Sequence, residues 1–179
     1  MSRTTTGRIA LYLVLSIESV FFVIMLVAYA ALRDQVSWSS SHTSTRLIIP
    51  LVNTVVLLIS ALTAWQSTRA VQANKQISLR NGLMITSSLG LIFVIGQVYE
   101  FSHAGLRIDD QTFGGVFFTL MGFHAVHVLA GVVFLALNFI RARWGDFSSN
   151  RYETVELGNL FWYYVTAVWL VLFVVLYLV

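Results

Sequence analysis

From Phe161 to Val179 the chain reads FWYYVTAVWLVLFVVLYLV, 19 residues without a formal charge. At 1.5 Å per residue a helix of that length reaches about 28 Å, close to the roughly 30 Å hydrocarbon core of a bilayer. Four earlier segments have the same character. The sequence therefore predicts membrane-spanning helices over roughly 9–32, 47–67, 83–100, 114–140 and 158–179. A water-soluble domain of 179 residues could not cover the surface of a chain that is 58% hydrophobic and 11% charged. The expected connections of about 12 to 17 residues leave no room for a second domain. The fold class is all-α: one polytopic bundle of five transmembrane helices over residues 1–179.

Charge fixes the expected orientation. Arg3, Arg8, Arg69, Lys75, Arg80, Arg141, Arg143 and Arg151 fall on the N-terminal side, and only Arg33, Arg46 and Arg107 on the other. By the positive-inside rule the N-terminus is cytoplasmic and the C-terminus outside. The net charge of +3 is thus accounted for by topology, and no nucleic-acid partner is implied. With no cysteine there is no disulfide, thiolate-bound zinc or iron–sulfur cluster. Ala28-Tyr29-Ala30 imitates a signal cleavage site, but the apolar run before it is too long and contains Glu18, so helix 1 is expected to be retained. Pro50, the only proline, is expected in the first turn of helix 2, where its missing N–H costs nothing. The connection RARWGDFSSNRYETVE before the last span is a candidate for a short interfacial helix.

Polar residues inside apolar spans carry the functional argument. Glu18, in LSIESVFF, has no lysine or arginine at matching depth, and an ionised carboxylate there costs several kcal/mol unless satisfied. Two readings stand: a functional acid, or a neutral carboxyl bonded to a neighbouring helix with help from Ser16 or Ser19. A histidine, another polar side chain or a partner subunit must satisfy it. Gln97, Glu100 and His103 in GQVYEFSHAG share one helical face, as do His124 and His127 in GFHAVHVLAG, with Gly131 one turn further on. Gly122 and Gly131 mark candidate close approaches between helices. Glu100, His103, His124 and His127 are placed to converge between helices 3 and 4. Di-iron bundles need two Glu-x-x-His helices and further glutamates, and the chain has one such pair. Interhelical hydrogen bonding is preferred over metal ligation. Trp162, with Tyr163 and Tyr164, matches an interfacial belt, and Trp169 is expected to pack deeper, against a helix or a subunit.

Together these motifs resemble subunit III of the haem–copper oxidases in its short five-helix bacterial form. The resemblance runs through SIESVFF, GQVYEFSH, GGVFFTLMGFHAVHVLAG and the final FWYYVTAVWLVLFVVLYLV. It implies an accessory subunit of a respiratory terminal oxidase in a bacterial plasma membrane. Such a subunit has no catalytic centre, haem or metal of its own, the haem and copper belonging to a partner. It packs on catalytic subunit I and through it meets subunit II, holds phospholipid, and supports proton uptake and durable turnover. The family's buried helix glutamate matches Glu18, its histidine pair His124 and His127, and its helix-3 motif Tyr99, Glu100 and His103. The sequence departs from the family in its last helix, where Tyr163 and Thr166 replace a histidine and an aspartate. Alternatives are the homologous subunit of a quinol oxidase or nitric oxide reductase, and an independent metal- or haem-binding membrane protein.

Overall fold

A computed structural model describes residues 3–33, 43–103 and 111–178. They form five long helices: α1 (Arg3–Arg33), α2 (Thr43–Gln72), α3 (Gln76–His103), α4 (Gln111–Arg143) and α5 (Glu153–Phe173), the last continued by a π-helical turn, Val174–Leu178. All five are long and apolar enough to cross a membrane.

The helices overrun the apolar windows because the end of an apolar stretch does not end a helix. Ser67 to Gln72 stay helical at the end of α2, and α3 has begun by Gln76. The expected second loop therefore shrinks to residues 73–75. Lys75 N–H donates to the Ala70 carbonyl at 2.8 Å, and Asn74 takes a positive φ of 55°, a conformation asparagine tolerates better than most residues. Pro50 lies well inside α2 rather than in its first turn, so one backbone hydrogen bond is lost within the helix. The connection from α4 to α5 contains no separate helix. Residues 144–152 form turns pinned by an isolated bridge between Ser148 and Arg151, and the expected helical stretch is the first turn of α5. This connection closes one end of the bundle: Gln76 donates to the Phe147 carbonyl and Arg80 to that of Ala142.

Four helices close a ring, α2 on α3, α3 on α4, α4 on α5 and α5 back on α2; α1 lies outside it against α4 and α5. The ring is tied by polar side chains as well as apolar ones. Thr63 and Thr86 hydroxyls lie 2.7 Å apart, Trp162 Nε1 donates to Ser60 at 3.0 Å, and Trp169 Nε1 donates to Thr54 at 2.9 Å. In a bilayer these contacts matter, because lipid tails are as apolar as leucine and burial alone does not drive helices together. Glycine sets the closest approach. A methyl group at Gly90 would stand 2.5 Å from the Trp162 ring, and one at Gly131 2.8 Å from it. The indole fills a slot that only glycine leaves open.

Candidate functional site

Glu18 projects from the middle of α1 toward α4, where the 3.6-residue period brings His127 into line with Phe123 one turn before it. Glu18 Oε2 and His127 Nε2 are 2.6 Å apart. His127 Nδ1 lies 2.7 Å from the Phe123 carbonyl. A carbonyl only accepts, so Nδ1 carries a hydrogen. Nε2 faces the carboxyl at ion-pair distance, while Oε2 makes no hydrogen bond of regular geometry among the described residues. An acid and a base set side by side in this way can sit in an apolar layer without a second counter-charge. Phe22, Phe123 and Phe161 surround the imidazole, with Phe123 closest at 4.5 Å between ring centres. The Glu18 side chain is 25% exposed on the flank of the bundle, while the Oε2 that meets His127 is itself buried.

Ser16 and Ser19 do not serve Glu18. Their hydroxyls turn back to the carbonyls of Tyr12 and Leu15, as serines in apolar helices do. Ser19 also hydrogen-bonds with Tyr164 of α5 at 3.1 Å.

His124 has a different setting from His127. It is wholly buried and stacked on Trp169 at 5.4 Å, with the edges of Phe22 and Phe93 beside it. Neither ring nitrogen has a hydrogen-bond partner among the described residues. Its contribution is shape: a flat ring among aromatic rings.

Glu100 belongs to a third place. It accepts from Gln97 Nε2 at 3.3 Å and from the Tyr177 hydroxyl. The π-helical turn at the end of α5 carries that tyrosine. Gln97 is fully buried rather than solvated. Tyr99 is half exposed on α3, and the His103 side chain lies outside the described residues. Glu100, His124 and His127 are thus engaged separately instead of converging between helices 3 and 4. Among the described residues, no three His, Cys, Asp or Glu side chains gather to hold a metal ion.

The aromatic and glycine candidates also separate. Trp162 is fully buried between α3 and α4 rather than in an interfacial belt, and Trp169 packs on its own chain's His124 and Phe93. Gly131 meets Trp162 and Phe161, whereas Gly122 has nothing among the described residues within 4 Å of where a methyl group would stand. Sequence reasoning missed Tyr177, Ser60 and Asn159. Asn159, Trp162, Thr166 and Trp169 form a buried stripe at helical spacing along α5, a signal visible in the sequence.

Comparison with known proteins covers both members of the acid–histidine pair. The family model described as cytochrome c oxidase subunit III matches residues 7–179. Cytochrome c oxidase subunit 3 of Spodoptera frugiperda is 37% identical over 72% of this chain and 88% of its own length. The Synechocystis sp. protein of the same name is 32% identical over 90% of this chain and 70% of its own. That of Drosophila melanogaster is 36% identical over 72% of this chain, and the match spans about half (49%) of the fly protein.

Proposed function

The chain belongs to the cytochrome c oxidase subunit III family, and from that premise we propose that it is an accessory subunit, without redox chemistry of its own, of a respiratory haem–copper oxidase. In this reading it packs on the catalytic subunit I, which carries the haem and copper. It holds phospholipid and supports proton uptake and durable turnover in a bacterial plasma membrane. The N-terminus faces the cytoplasm, consistent with the end of the bundle that gathers Arg8, Arg69, Lys75, Arg80, Arg141, Arg143 and Arg151.

The observation that carries this reading is the Glu18–His127 pair. An acid in the middle of a spanning helix is a functional candidate by default. This one lies 2.6 Å from a base on another helix and is partly exposed on the flank. Such a pair can hold a proton at the edge of the subunit for a neighbour to take. Within the chain it also docks α1 on α4.

The test is purification of the chain from its native membrane in mild detergent, followed by a reduced-minus-oxidised visible spectrum and a subunit gel. A haem spectrum accompanied by a large polytopic partner is expected, and the haem type separates an oxidase from a nitric oxide reductase. A haem spectrum from the chain alone would overturn the accessory reading, as would recovery without any haem-bearing partner from membranes with active oxidase.

A further inference from the structure

The last turn of α5 is wound differently from the rest of the described helices: Val174–Leu178 is π-helical. The Val174 N–H still points at the Leu170 and Val171 carbonyls, so the chain leaves α winding just beyond it. π turns are rare and tend to mark functional places. The sequence of this one, VVLYL, has no proline or glycine to interrupt an α-helix. Burial does not impose the winding either. None of the five residues is buried, and Val175, Leu176 and Tyr177 pack only partly against the core.

The specific hold on the turn is a side-chain hydrogen bond. The Tyr177 hydroxyl donates to Glu100 Oε1 on α3, and Glu100 Oε2 accepts from Gln97 Nε2 at 3.3 Å. Gln97, fully buried one turn before Glu100, keeps the carboxyl in place. The Tyr177 ring lies 5.6 Å from that of Phe173 between centres, and buried Tyr29 of α1 stands at the same corner. A π turn closes wider hydrogen-bonded rings than an α turn, so each residue advances by a smaller angle. Rewinding the turn as α therefore carries Tyr177 around the axis and off Glu100. It also gives exposed Leu178 a new direction.

We propose that Val174–Leu178 is a two-state strap, π-wound and tied to α3 while Tyr177 bonds Glu100, and α-wound and free of α3 when that bond is lost. The strap couples Glu100 to the direction in which Leu178 projects from the bundle. A discrete element biased from both of its ends is what coupling between two places requires. The coupling is reciprocal: a contact on Leu178 that favours the α winding also draws Tyr177 from Glu100. The strap does not depend on the accessory role proposed above.

The test uses the full chain in nanodiscs. With no native cysteine, V98C and L178C place nitroxide labels at exposed positions on α3 and on the strap, and V98C with V171C gives a reference pair ahead of the turn. Pulsed EPR reads both separations. Y177F, which removes only the hydroxyl, is expected to shift the 98–178 distance by about 3 Å or more, within the roughly 10–12 Å width of a helix with its side chains. The 98–171 distance should stay unchanged. E100A is expected to give the same shift, and E100Q, which keeps an acceptor, to restore the original distance. An unmoved 98–178 distance in both Y177F and E100A overturns the proposal, because packing would then set the winding. A shift of both pairs overturns it too, as a loosening of the whole bundle. So does a 98–178 distribution that broadens without a new maximum, which is fraying and not a second state.

Discussion

The Trp162 slot and the Glu18–His127 seam solve the same problem by different means. Both join helices in an apolar medium where burial offers little drive. Within the ring, Gly90 and Gly131 let α3 and α4 close on a fully buried indole, and a hydroxyl from α2 takes its N–H. On the seam, α1 keeps most of its surface outward and is held at a few polar points: Glu18 to His127, Ser19 to Tyr164 and Arg8 to Glu156. Phe21 and Phe22, tilted against Phe123, fill the space between. The ring is specified by shape, where any added atom is felt. The seam is specified by a few hydrogen-bonding partners and is correspondingly easier to open.

The largest effect is expected in the slot. G90A and G131A each push a methyl group into the Trp162 ring, and overpacking of this kind typically costs about 1–3 kcal/mol. G90A should be the worse, since its methyl also meets Val132 at 2.7 Å. SDS titration of the purified chain measures this, and unchanged unfolding would mean that the slot yields and the contrast between the two regions is false.

The seam comes next. Removing a polar interhelical contact in a membrane protein costs on average about 0.6 and at most about 1.7 kcal/mol. E18Q and H127Q are expected to loosen α1 within that range without melting the ring, and the double variant to be little worse than either single one. The chain has no cysteine, so introduced spin labels on α1 and α5 read the separation directly. In the assembled complex E18Q should change how long oxygen consumption is sustained. Unaltered consumption over prolonged turnover would reduce Glu18 to a docking residue.

A smaller effect, at or below about 0.6 kcal/mol, is expected of Y164F, which removes the hydroxyl shared with Ser19. The smallest belongs to G122A, with open space around the new methyl group. The isolated chain should be unchanged to within about 0.5 kcal/mol. A marked loss of partner in the complex would place Gly122 on an interface between subunits.

The five spans were legible in the sequence because the bilayer imposes a length and a polarity that few residues can disguise. Helix ends were not, since Ser67 to Gln72 remain helical after the apolar run has stopped. The Glu18 partner was legible as a type: with no cation in the chain at its depth, a histidine was one of the available answers. Which histidine was not. His124 and His127 lie on one face, yet Glu18 reaches only the second, while the first is enclosed by Phe22 of α1, Phe93 of α3 and Trp169 of α5. Residues three apart on a helix differ by about 60°, enough to turn one ring to the seam and the other to the core. Tyr177 was invisible as a partner of Glu100 because their meeting depends on how α5 and its π-helical end lie against α3, which no local pattern encodes.

The three-residue connection between α2 and α3 has a consequence in time. A short loop makes pairing its two helices entropically inexpensive, and contacts close in sequence form early. As the polypeptide is synthesised, α2 and α3 can associate before α4 exists, and α4 and α5 are then laid onto that hairpin. α1, made before that hairpin, has its partners on α4 and α5 and must wait for them. Birth order and docking order therefore run opposite for α1: made before the α2–α3 hairpin, it finds its place after it.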